Sequence, residues 1–197
     1  MHEQQELSRR GFLKATGSLA GAAWASALWP SVLAAAQQAG AARDAGADFE
    51  MLTSEEAADL AAIAAQIIPS DGSPGATEAG VVYFMDSALR TFMAERTDSI
   101  LGGLSALNQK LAADQGKPEA RFSTLPPAEQ VAVLKGEEKS AFFGAVHFMT
   151  VAGMFALPVY GGNKDHAGWK LLGFEHRHFW QPPFGFYDAP PAKGGKK

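Results

Sequence analysis

Apolar residues recur at helical spacing through the middle of the chain. From Ala57 they fall at Leu60, Ala61, Ala64, Ile67 and Ile68, the period of a helix that buries one face. Thr53-Ser54-Glu55-Glu56 precedes the run as a capping box, in which the Thr53 hydroxyl accepts from the N–H of Glu56 and the Glu56 carboxylate accepts from the N–H of Thr53. Pro69 and Asp71-Gly72 stop it. After a turn at Ser73-Pro74-Gly75, a second helix is expected to begin near Thr77 and to bury Val81, Phe84, Met85, Leu89 and Phe92. A third is expected from Ser99 to Ala113, with Leu101, Leu104, Leu107 and Leu111 in register. Thr124 followed by Pro126-Pro127 reads as a cap with first-turn prolines, opening a short helix through Val131 and Leu134. A fifth helix is expected from Glu138 to Phe155, with Phe142, Val146, Met149 and Gly153 along one stripe. No alternating strand pattern competes, so the expected fold is all-α, an irregular bundle of about five helices.

The flanks break this pattern. Ser8-Arg9-Arg10-Gly11-Phe12-Leu13-Lys14 matches the twin-arginine export pattern S-R-R-x-F-L-K, with Arg9, Arg10, Phe12 and Leu13 as its signal residues. An Ala- and Gly-rich apolar stretch follows, then Pro30 and small residues, so residues 1–36 are expected to be a leader, cut after Ala36 or after Ala34. A membrane-spanning or tethering reading is disfavoured because Ala gains little in hydrocarbon and Pro30 interrupts the run. Residues 37–52 read as a linker, 53–189 as the helical domain and 190–197 as a frayed tail. Beyond Leu157, Gly and Pro break any long element while Trp169, Phe174, Phe179, Trp180, Phe184, Phe186 and Tyr187 crowd the same irregular stretch. So many rings call for a receiving surface, either the bundle itself or another protein, and partner contact is the favoured reading.

Composition narrows the chemistry. A formal charge of -4 offers no footprint for nucleic acid. The chain has no cysteine, which removes disulfides, thiolate nucleophiles, Cys-held iron–sulfur clusters and C-x-x-C-H haem attachment. No G-x-S-x-G elbow and no flavin fingerprint occurs, so redox work belongs on a partner.

Two blocks carry a family resemblance. Ile67-Ile68-Pro69-Ser70-Asp71-Gly72-Ser73-Pro74-Gly75-Ala76-Thr77-Glu78-Ala79-Gly80-Val81 resembles the "IIP…D…PGA…AGV" block of the gluconate 2-dehydrogenase subunit 3 family. Pro158-Val159-Tyr160-Gly161-Gly162-Asn163-Lys164-Asp165, followed by Gly168 to Phe174, resembles its second block. The resemblance implies a small non-catalytic subunit of a periplasmic sugar or sugar-acid dehydrogenase, exported through the twin-arginine translocase. The implied catalytic partner is a large subunit of the glucose-methanol-choline type that holds FAD, and an iron–sulfur cluster or haem c belongs to partner subunits. A multihaem cytochrome c that ties the complex to the membrane is part of the same implication. The small subunit is expected to assist folding of the large one, lend it the leader and stay bound.

Residues Tyr160, Gly161, Gly162, Asn163 and Trp169, with Phe179, Trp180, Phe184 and Phe186, are the expected partner contacts. Gly161-Gly162-Asn163 admits two readings: a sharp turn that presents main-chain groups to a partner, or a tight turn that supports Trp169 against the core. The rival function is an autonomous periplasmic enzyme or metal-binding protein using His166, His176 and His178 with Asp165 and Glu175. Against it, no H-E-x-x-H occurs and the segment is loop-like. His147, within an apolar stripe, reads as a core or interface residue.

Overall fold

The computed structural model describes residues 37–177 together with Ala34, and every regular element among them is helical. A helical segment over residues 37–45 (α1) is followed by α2 (Ser54–Ile67), α3 (Val81–Arg90), α4 (Thr97–Gln115), α5 (Pro127–Glu137), α6 (Ala141–Phe155) and α7 (Ala167–Leu171). Single 3-10 turns lie at Ala94–Arg96, Phe122–Thr124, Pro158–Tyr160 and Lys164–His166. The all-α reading holds. The signal residues Arg9, Arg10, Phe12 and Leu13, the cut site after Ala36, the rings of Phe179, Trp180, Phe184 and Phe186, and His178 lie outside the described residues.

The start of α2 follows the sequence closely. Both arms of the capping box form, with Glu56 N donating to Thr53 Oγ1 at 3.2 Å and Thr53 N donating to Glu56 Oε2 at 2.9 Å. Thr53→Ala is therefore expected to lower the unfolding free energy by about 1 kcal/mol, measured as a lower midpoint in urea at unchanged slope.

Other boundaries move, each for a local reason. The second helix starts at Val81 rather than near Thr77, because Ala76 to Gly80 coil into separate turns and Gly80 takes the left-handed conformation at φ 66°. That helix ends at Arg90, and Thr91 at ψ -103° swings the chain out of register, so Phe92, expected to be buried, is 60% exposed. Thr124 does not cap α5. Its hydroxyl donates to Arg121 O within a 3-10 turn, and Pro126 takes the cap position ahead of Pro127. Helix α6 begins at Ala141, where the Ser140 hydroxyl accepts from Phe143 N at 3.0 Å. The segment read as the start of a linker is helical over residues 37–45, held by tertiary contacts that no local period announces.

The core lies where α2, α3, α4 and α6 converge. Leu60, Ile63, Met85, Leu89, Leu104, Val146, Met149 and Met154 are fully buried, with Phe122 plugging one end from the connection between α4 and α5. Each such side chain contributes about 1.5–3 kcal/mol by leaving water.

Two buried carboxylates fix what the apolar contacts leave free. Asp59 on α2 is wholly enclosed: its Oδ2 accepts from Asn108 Nδ2 at 2.8 Å and from Arg121 Nε and Nη2 at 3.1 and 2.7 Å. Its Oδ1 accepts from the amide and hydroxyl of Ser123 at 2.9 and 2.6 Å. Asp86 on α3 gathers three successive amides, Oδ2 from Glu50 at 3.1 Å and Oδ1 from Met51 and Leu52 at 2.9 Å each, and so docks the bent approach to α2.

Candidate partner-binding surface

The two sequence blocks, far apart in the chain, are joined in space. Lys164 N donates to Ala79 O at 3.0 Å, which ties the second block to the first just before α3. Gly161 turns the chain at φ 98°, and Gly162 lies so close to α6 that a Cβ there would stand 2.1 Å from the carbonyl oxygen of Gly153. Asn163 is completely buried. Its Nδ2 donates to Ala156 O at 2.8 Å and its Oδ1 accepts from Gly168 N at 2.9 Å, so one side chain ends α6 and starts α7. The indole N–H of Trp169 donates to Phe155 O at 2.8 Å. From the other end of the chain, Arg43 on α1 donates from Nη1 to Pro158 O at 3.0 Å and to Gly162 O at 2.6 Å.

The tight-turn reading of Gly161-Gly162-Asn163 is the one the structure builds. Its main-chain groups face inward, and Gly161, Gly162, Asn163 and Trp169 are buried against their own chain. Four of the expected partner contacts, Gly161, Gly162, Asn163 and Trp169, thus pack against their own chain. Tyr160 is half-buried and lines a surface groove.

In the first block, Glu78 braces the turn by accepting from Ser70 Oγ at 2.5 Å and from Gly75 N at 2.9 Å. The Ser70 hydroxyl, with main-chain N–H groups behind it, holds the Glu78 carboxyl below its ordinary value. Its stabilising contribution is therefore complete above the unfolded-chain value and is lost as pH falls through the lower folded-state value. In Ser70→Ala the Glu78 carboxyl is expected to titrate closer to an ordinary glutamate. An NMR pH titration that shows no movement would remove the hydroxyl as the cause.

Among the described residues His147 stands apart from the other two histidines. His166 and His176 each lie 4.9 Å, ring to ring, from Trp169, one on a tilted and one on an edge-on approach. Glu175 pairs with Arg177, and Asp165 stands exposed in a left-handed turn. His147 is exposed on α6, with its ring 6.1 Å from that of Phe143. Among the described residues no three His, Cys, Asp or Glu side chains gather as a metal would require.

Helix α6 gives the molecule its most unusual surface. It contains no Asp, Glu, Lys or Arg over 15 residues. One side, with Phe142, Val146, Met149 and Gly153, enters the core as its stripe predicted, yet the opposite side is also largely apolar, with Phe148 52% and Val151 38% exposed beside His147. A helix this apolar on both sides is suited to being covered on both. No described helix is long and apolar enough to cross a membrane. Beside α6, displaced Phe92 forms a ridge between two depressions. One, of about 270 Å³, is lined by Phe84, Ala88, Thr91, Ala156 and Tyr160. The other, of about 570 Å³, runs along Ala141, Gly144, Ala145 and Phe148. Sequence reading concentrated on the buried stripe and missed Phe148 and Val151, although the absence of any charge on the outer face of α6 was the available signal.

The buried polar side chains of this all-α domain are spent on its own architecture, and among the described residues the outer side of α6 carries no Asp, Glu, Lys or Arg. The chain belongs to the gluconate 2-dehydrogenase subunit 3 family, whose model matches residues 54–175, from the first residue of α2 to the end of the second block. No curated protein and no solved structure matches it. The family is that of a subunit of a gluconate dehydrogenase complex, so association with a catalytic dehydrogenase is the family's setting.

Proposed function

We propose that this chain is the non-catalytic small subunit of a periplasmic, FAD-dependent dehydrogenase of the glucose-methanol-choline type that oxidises a sugar or sugar acid. It assists folding of the catalytic subunit, shares its twin-arginine leader with it for export, and remains bound afterwards. The family match over residues 54–175 carries this reading. Support comes from the leader motif around Arg9 and Arg10, since that route moves folded cargo, and from a chain without cysteine beside a partner that does the redox work. The uncovered apolar side of α6 is what a subunit made to stay bound would present.

Co-expression with a candidate flavoprotein large subunit from the same genome, followed by purification through a tag on this chain, tests the assignment. A flavin absorbance spectrum on the co-purifying subunit is expected. Oxidation of sugars by the isolated chain would overturn it. Lys in place of both Arg9 and Arg10 should strand both proteins in the cytoplasm, and continued export of the flavoprotein would refute the escort role.

A further inference from the structure

We infer that the groove between Phe92 and the first half of α6 is the seat of the catalytic flavoprotein subunit, which lays an apolar side chain over Gly144 and sets a carboxylate on Arg96. The inference rests on the accessory role proposed above and adds to it a place and a chemistry of contact.

The floor of the groove is made of small residues. Gly144 and Ala145 stand three and four residues after Ala141 and so neighbour it on the helix surface, and the exposed rings of Phe92 and Phe148 line the same groove. Above Gly144 there is open space, with no atom within 4 Å of where a Cβ would stand. A row of small residues beside two rings is the shape that receives a ridge from another helix or a single large side chain. Exposed rings of this kind anchor interfaces because each removes a large apolar area from water at little entropic cost.

One charge marks this otherwise neutral surface. Arg96 lines the groove and is exposed, and its guanidinium makes no hydrogen bond or ion pair among the described residues. The other well-placed arginines are all engaged: Arg43 with Pro158 and Gly162, Arg90 with Glu50, and Arg121 with Asp59. A free guanidinium at the rim of an apolar slot selects a partner that brings a carboxylate, which it can hold with two parallel hydrogen bonds. The residues that line the groove include no Asp or Glu, so two copies meeting groove to groove would bring no carboxylate to Arg96. An interface of standard size covers about 800 Å² on each partner, so the groove is the anchoring centre of a larger contact.

The test uses the full chain co-expressed with the large subunit. A photoreactive phenylalanine analogue at Phe148 should, on irradiation, form an adduct with the flavoprotein. An adduct to a second copy, or to residues 178–197 of the same chain, would overturn the assignment. Gly144→Leu fills the slot from open space and favours the helix, so the chain should fold as before while flavoprotein retained on the affinity column falls at least tenfold. Gly136→Leu, equally unobstructed on α5, should retain it fully. Arg96→Glu should weaken retention about tenfold as well, with the loss shrinking at high salt. Full retention by Gly144→Leu beside a wild-type chain that binds would sink the groove and leave the accessory role standing. Failure of the wild-type chain to hold any flavoprotein would sink the accessory role itself.

Discussion

Asp59→Ala is expected to cost this protein about 3–5 kcal/mol of unfolding free energy. Asp59 is fully buried, and its removal takes the acceptor from Asn108 and Ser123 and leaves Arg121 with only its bond to Glu55, with Arg121 and Ser123 both on the connection between α4 and α5. The penalty is the desolvation of those groups more than the loss of one attraction. Because Asn108 also accepts from Phe122 N at 3.0 Å, the loss should reach the Phe122 plug and loosen the end of the core. Urea unfolding followed by circular dichroism measures the effect. Asp59→Asn, which keeps the shape and one acceptor, should lose clearly less, and equal losses would place the energy in packing instead.

Gly162→Ala should be nearly as damaging for a different reason. The added Cβ would stand 2.1 Å from Gly153 O and 2.8 Å from Gly153 C, both backbone atoms of α6 that cannot turn aside as a side-chain tip would. Either α6 shifts or the turn at Gly161 opens, and the expected cost is about 3 kcal/mol, at the upper end of overpacking changes. The disturbance should propagate to Asn163 and Trp169, so quenching of tryptophan emission is the readout that separates it from a general loss of stability. Unaltered emission and an unaltered melting midpoint would show that α6 has room to move.

How much of this was legible in the sequence depends on the range of the interaction. The start of α2 was readable because Thr53 and Glu56 satisfy each other within one turn, and the buried stripe of α6 because Phe142, Val146 and Met149 keep helical spacing. Phe92 was misread since the backbone break at Thr91 depends on what α3 meets at its end. The early helix went unseen because Arg43 and Ala39 find their places only against the Pro158–Gly162 segment and the core. The second block was recognised as a unit, but its inward role was beyond any local rule: Asn163 is buried by partners at Ala156 and Gly168, and Gly162 by a helix it does not belong to. On the surface side, Tyr160 was the one expected contact among the described residues that reaches a groove.

The reach of Arg43 from α1 to Pro158 and Gly162 has a mechanical meaning. It crosses more than a hundred residues of chain and joins the two ends of the described domain, so a pull on both termini loads that clasp before any interior helix. Stretched from both ends, the domain would first shed α1 and free the Gly161 turn, with the four-helix centre still intact. Single-molecule stretching should accordingly show a small early rupture ahead of the main one, and Arg43→Ala should erase only the first.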